Sequence, residues 1–111
     1  MTPRNAIIAF SALAHPVRLA LFQQISSLAP AGAPAGELAQ EFDIPPSTMT
    51  GHLQALERAG LIRAERRSRF MLYSLNLEGA RQMVSFLISE CCGDKAKLLD
   101  GLDLGQYQEA S

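Results

Sequence analysis

A chain of 111 residues with 48% hydrophobic content and 19% charged residues is the size of one compact domain with one core. Its longest apolar stretches, Ala6 to Phe10 and Val17 to Phe22, fall short of the roughly 20 residues that span a bilayer, and no signal-peptide pattern precedes them; the expected compartment is the cytoplasm, where its cysteines stay reduced. A net charge of -1 argues against a nucleic-acid partner only as a total, because residues 46–76 hold five arginines (Arg58, Arg63, Arg66, Arg67, Arg69) against two acids, whereas residues 77–111 hold three bases against six acids.

In chain order, Ile7, Ile8 and Leu13 among alanines predict a short N-terminal helix, apolar on more than one side, which wants a partner on each face. Pro16 stands at the first turn of a second helix, and Val17, Leu21, Ile25 and Leu28 follow at helical spacing as a core stripe. Ala29 to Gly36, in which Pro and Gly alternate with alanine, reads as a loop. Residues 36–75 then read as one DNA-binding unit. A short helix carries Leu38, Ala39 and Phe42 on its apolar edge; Asp43-Ile44-Pro45 makes a turn; a second helix runs from Pro46 to about Ala59; a two-stranded ribbon closes the unit.

The second of these helices has two contrasting faces. Met49, Leu53 and Leu56 share the inner one, while Ser47, Gly51, Gln54 and Arg58 project on the other, with Thr48, Thr50 and His52 on the flanks. Short polar side chains let a helix enter the major groove closely, and Ser, Thr, Gln and Arg can donate to phosphates or base edges. Gly60 is expected to cap the helix in the left-handed conformation. Residues 61–65 and 70–74 read as strands around an Arg66-Arg67-Ser68-Arg69 tip, where the arginines suit phosphate contact better than core.

Farther on, Ala80, Met83, Val84, Leu87, Ile88 and Cys91 form one helical stripe, and Cys92 is rotated about 100° from it. A cysteine on an apolar stripe reads as core filling, but Cys92 lies off the stripe and has no packing reason to be cysteine. Gly93 is expected to end the helix and let the second thiol turn toward the first. Two adjacent thiols make a soft-ligand pair. Leu98, Leu99 and Leu102 suggest a short helix covering them, and Gln106 to Ser111 reads as a frayed end.

Leu13-Ala14-His15-Pro16-Val17-Arg18, Gly36-Glu37-Leu38-Ala39, and the run from Pro46-Ser47-Thr48-Met49-Thr50-Gly51-His52-Leu53 to Ala59-Gly60-Leu61-Ile62 together resemble the ArsR/SmtB family of bacterial repressors, over about residues 5–92. The resemblance implies a mainly helical winged helix-turn-helix with a small β-hairpin wing. It also implies a homodimer formed through the N- and C-terminal helices, DNA binding without inducer, and release when inducer binds. Ser47, Thr48, Thr50, His52 and Gln54 would belong to the recognition helix. Residues 1–92 would form the DNA-binding and dimerisation domain, and residues 93–111 a partly flexible extension. At the wing tip, where many members carry glycine, Arg67-Ser68 implies a changed turn.

Family members place inducer sites at several positions. A Cys-x-Cys pattern is absent from Glu37 to Phe42, and the two histidines, His15 and His52, are remote from the C-terminal helix, so a zinc site there lacks donors. Glu90-Cys91-Cys92-Gly93 resembles the C-terminal site of arsenic-responsive members, which often supply a third cysteine; here Lys95, Lys97 and Leu98 follow instead. A trivalent arsenical or antimonial held by Cys91 and Cys92, inorganic or methylated, is the expected inducer, with no cofactor required. Thiol oxidation or persulfide chemistry at the same pair remains open as an alternative, as does a constitutive DNA-binding module. An enzyme is disfavoured, because the chain has no phosphate-cradling glycine loop, no Cys-His couple and no carboxylate pair suited to a cleft.

Overall fold

A computed structural model describes residues 1–103. Helix α1 (Pro3–Leu13) starts where the backbone N–H of Asn5 donates to Thr2 Oγ1 at 3.1 Å, which satisfies one of the N–H groups a helix start leaves without a partner. Its buried side is Ala6, Ala9 and Ala12, whereas Ile7 and Ile8 face outward at 64% and 43% exposure. The small side chains are what pack against the chain's own core, and the large ones are left uncovered.

Helix α2 (Pro16–Ser27) buries Leu21 and Ile25. Next comes a departure from the expected loop: Ala33–Pro34 forms a two-residue strand, β1, antiparallel to β3 with Ala33 opposite Tyr73 and Pro34 opposite Leu72. Gly32 makes this approach feasible. Its φ is +78°, and a Cβ there would overlap the carbonyl oxygen of Tyr73, so the position excludes any side chain.

The helix-turn-helix consists of α3 (Ala35–Phe42) and α4 (Pro46–Arg58). Asp43 ends α3 in the left-handed conformation at φ 53°, which Asp tolerates better than most non-glycine residues. Pro46 opens α4 at the position where its missing N–H costs nothing. At the other end of α4, Gly60 takes φ +79° and the Leu61 N–H donates to the Leu56 carbonyl at 3.1 Å, as the predicted glycine cap requires.

Strands β2 (Ile62–Arg67) and β3 (Phe70–Leu75) complete a three-stranded sheet in the order β1-β3-β2. Pairing continues to Arg67 opposite Phe70, so the hairpin loop is only Ser68-Arg69. Arg66 and Arg67 therefore lie in the strand and not in the tip. Ser68 itself adopts φ 55°, taking the conformation that a glycine would favour.

The core joins Leu21, Ile25, Leu38, Met49, Leu53, Leu56, Leu61, Ile62 and Tyr73 with Ala9 and Ala12 of α1. Each large aliphatic side chain so buried contributes about 1.5–3 kcal/mol relative to exposure. Two helices follow the wing: α5 (Leu77–Cys91) and α6 (Lys95–Asp100). The predicted stripe on α5 is only half covered. Met83 packs against the core, but α5 has no fully buried residue, and Leu77, Val84 and Leu87 are largely exposed. No single helix among the described residues is long and apolar enough to cross a membrane.

Candidate nucleic-acid interface and thiol pair

On α4, Met49, Leu53 and Leu56 are fully buried, and this packing dictates which residues turn outward: Ser47, Thr48, Gly51, Gln54 and Arg58 are all exposed. Gly51 is the most telling of them. A Cβ there would meet nothing within 4 Å, so no contact within the fold asks for glycine in the middle of this helix. Thr50 is half-buried, and its hydroxyl donates to the Pro46 carbonyl at 2.9 Å, so the helix backbone already engages it.

His52 behaves differently from its neighbours. The Nε–H of Arg18 donates to its Nδ1 at 3.2 Å, and its ring centroid lies 4.9 Å from that of His15. Desolvation, then His15, then the Arg18 guanidinium hold the His52 imidazole below its ordinary pKa. Its side chain thus joins α4 to the start of α2, away from the exposed stripe. Sequence spacing placed it on the flank of the helix; the partners that claim it lie at the α1–α2 junction, beyond the reach of any local pattern.

The wing is basic but partly self-neutralised. Arg63, Glu65 and Arg67 alternate with Ile62, Ala64 and Arg66, so they share the outer face of β2. Arg67 Nε donates to Glu65 Oε2 at 2.9 Å; this hydrogen bond and the attraction behind it push the Glu65 carboxyl down and the Arg67 guanidinium up. Arg66 and Arg69 are exposed and make no ion pair among the described residues. Arg63, which lies outside the tip, lines an open groove of about 370 Å³ with Arg58, Asn5, Asn76 and Gln82. Strand alternation is the signal that puts it beside Glu65 and Arg67.

The thiols lie at the far end of α5. Cys91 is its last residue and is exposed; Cys92 is half-buried, and both are free. Cys92, not Gly93, terminates the helix, with extended dihedrals (φ -116°, ψ 119°). Its Sγ–H donates to the Leu87 carbonyl at 3.2 Å, satisfying one of the acceptors a helix end leaves open. The expected short helix exists as α6, started by Asp94 accepting from the Lys97 N–H at 3.1 Å, yet it leaves Cys91 uncovered. Among the described residues no group of three or more His, Cys, Asp or Glu could hold a metal ion, so the pair offers two sulfurs and no third donor. The expected frayed end, Gln106 to Ser111, lies outside the described residues.

At its other end α5 is locked to the recognition unit. Asn76 donates its N–H to the Leu61 carbonyl at 3.0 Å, and its side-chain oxygen accepts from the Gly79 N–H at 3.2 Å. A Cβ on Gly79 would overlap the Gly60 carbonyl oxygen. The first turn of α5 is therefore in backbone contact with the cap of α4.

Residues 13–65 match a family described as a helix-turn-helix domain. Among solved structures, the chain is similar to an ArsR family transcriptional regulator at 25% identity, covering 93% of this chain and 98% of that one with a TM-score of 0.69. The chain carries a helix-turn-helix domain in a winged-helix fold similar to that of this ArsR-family regulator. A second similarity is to a possible transcriptional regulator for arsenical resistance, at 26% identity over 84% of this chain and 94% of that one, TM-score 0.64. The fold also matches a homodimeric winged helix-turn-helix DNA-binding domain from Mycobacterium bovis, at 17% identity over 97% of this chain and 89% of that one, TM-score 0.65. No curated protein matches the chain.

Proposed function

We propose that this chain is a regulator of the ArsR type: a cytoplasmic, homodimeric repressor, not an enzyme, that leaves its operator when a trivalent arsenical or antimonial binds Cys91 and Cys92. The observation that carries the reading is the position of the thiol pair: at the end of the helix whose first turn is in backbone contact with the cap of α4. A dimer is supported by the apolar side chains the single chain leaves exposed, Ile7 and Ile8 on α1 and Leu77, Val84 and Leu87 on α5, since a helix bearing an uncovered apolar stripe needs a partner. Two such subunits would place their recognition helices about one DNA turn apart, roughly 34–36 Å, on a partly palindromic operator.

In this reading Ser47, Thr48, Gly51 and Gln54 meet the groove, Thr50 helps hold the helix, and Arg66 and Arg69 lead the phosphate contacts. Arg67 contributes less because Glu65 holds it. Soft trivalent metalloids suit two thiolates. With two protein sulfurs and no third, one position is left for a methyl or other organic group, so a monosubstituted arsenical should bind at least as well as arsenite. Binding removes the proton that Cys92 donates to Leu87, which loosens the end of α5. A coupling of about 1–3 kcal/mol between that end and the recognition unit would lower DNA affinity roughly 5- to 150-fold.

Oxidation of the same pair is a second reading, favoured by the exposure of Cys91 and opposed by the acids that flank the pair, Glu90 and Asp94. Native mass spectrometry of the reduced protein with arsenite, a methylated trivalent arsenical and zinc separates the two. One arsenical per subunit, lost when both cysteines are changed to serine, supports metalloid sensing. No arsenical uptake, with DNA release on mild oxidation, supports the redox reading.

A further inference from the structure

The contact between His52 and the start of α2 has a consequence independent of the thiols. Each imidazole there uses Nδ1 as an acceptor: His15 from the Val17 N–H at 3.2 Å, as the cap of α2, and His52 from the Arg18 Nε–H at 3.2 Å. A ring that accepts at Nδ1 carries its single proton on Nε2. In this arrangement the His52 ring is neutral, and the Nδ1 lone pair of each ring is already engaged and not free for a metal.

Protonation turns Nδ1 into a donor. On His52 it would set an N–H against the N–H of Arg18 and place a second positive charge beside the guanidinium. Among the described residues no acid is placed to compensate. Of the elements packed on α4, α2 presents Arg18, with His15 at its cap, and α1 carries Arg4; α3 carries Glu37 and Glu41, and β2 carries Arg63, Glu65, Arg66 and Arg67. Among these, and Glu57 and Arg58 of α4 itself, only Arg18 and His15 interact with His52; Glu65 is taken by Arg67, and among the described residues no carboxylate bonds to either ring.

We propose that His15, Arg18 and His52 form an acid-sensitive latch that holds the recognition helix against the start of α2, so that acidification weakens operator binding. The direction is opposite to plain electrostatics, in which an extra positive charge on His52 would tighten the grip on phosphates. For the fold itself the sign follows from His52: a base whose folded pKa is depressed contributes stability that is complete above the unfolded value of about 6.5 and is lost as pH falls through the lower folded value; operator binding shares that sign because a released recognition helix must give up the proton and re-form the latch before it docks. The desolvation, His15 and Arg18 that depress it are the same contacts that define the latch.

The test uses the reduced full-length chain and a duplex selected from a random-sequence pool for tight binding at pH 7.5. Affinity is measured at pH 7.5 and 5.5 at one ionic strength. The wild type should lose about fivefold or more, the low end of the coupling usual between two elements of one protein. His52→Asn keeps a carbonyl acceptor for Arg18 and cannot titrate, so its affinity should hold or rise in acid. Unchanged or tighter binding by the wild type at pH 5.5, or an equal loss in His52→Asn, overturns the latch. Side-chain nitrogen NMR of the free wild type needs no variant to fold: at pH 7.5 His52 should be the Nε2–H tautomer, with the Arg18 Nε–H signal shifting as His52 titrates. An Nδ1–H tautomer, or an Arg18 signal indifferent to that titration, also overturns it.

Discussion

Replacing Gly51 by alanine sets the demands of the helix against those of DNA. The residue is exposed in the interior of α4, and an added Cβ meets nothing within 4 Å, so the substitution brings no clash inside the chain. Glycine in a helix interior is about 0.8–1.0 kcal/mol less favourable than alanine, chiefly through the backbone entropy lost on folding. Gly51→Ala should therefore raise stability by up to about 1 kcal/mol, which for a domain near this size is a Tm increase of roughly 4–8 °C per kcal/mol. Melts must be compared at equal protein concentration if the chain is a dimer. Operator binding should move the other way. The methyl group projects from the Ser47, Gly51, Gln54 stripe where the helix approaches base edges, and a loss of tenfold, about 1.4 kcal/mol, is expected at fixed salt. A variant that is more stable and binds a selected operator as tightly as wild type would refute the assignment of this face to DNA. A variant of lower stability would refute the claim that the fold has no use for glycine here.

The other end of α4 predicts the opposite response to the same change. Gly79→Ala drives a Cβ into the Gly60 carbonyl oxygen and should lower stability by about 1–3 kcal/mol, read as a fall in urea midpoint; an unchanged midpoint would show that α5 does not sit tightly on the α4 cap. On the wing, Arg69→Ala should reduce the slope of log affinity against log salt by about 0.9 if it meets one phosphate, while Arg67→Ala, already engaged by Glu65 at 2.9 Å, should change it less. Equal slopes for the two variants would mean that Glu65 releases Arg67 on DNA.

Much of the fold is legible in the chain because helices repeat locally. Met49, Leu53 and Leu56 recur at helical spacing, and that spacing alone announces an inner face and hence the outward row of Ser47, Gly51, Gln54 and Arg58. Gly60 as a cap and Pro16 and Pro46 at helix starts are equally local, since each is decided by the dihedrals or the missing N–H of a single residue. Cys91 and Cys92 stand out by adjacency, but adjacency says nothing of how each thiol is used; only the chain path past Leu87 shows Cys92 capping the helix.

What tertiary structure decided are pairings between distant residues. β1 is two residues of a Pro- and Gly-rich stretch, with no strand pattern of its own, and it exists because Gly32 lets the backbone lie against Tyr73. Arg66 and Arg67 belong to the strand because pairing extends to Phe70, a matter of register that composition at the tip cannot reveal. His52 shares the helix of Ser47 and Gln54 but turns to Arg18, 34 positions earlier. Periodicity determines which faces a helix has; which neighbour claims each side chain is settled only when the chain folds back and residues far apart in sequence compete for the same space.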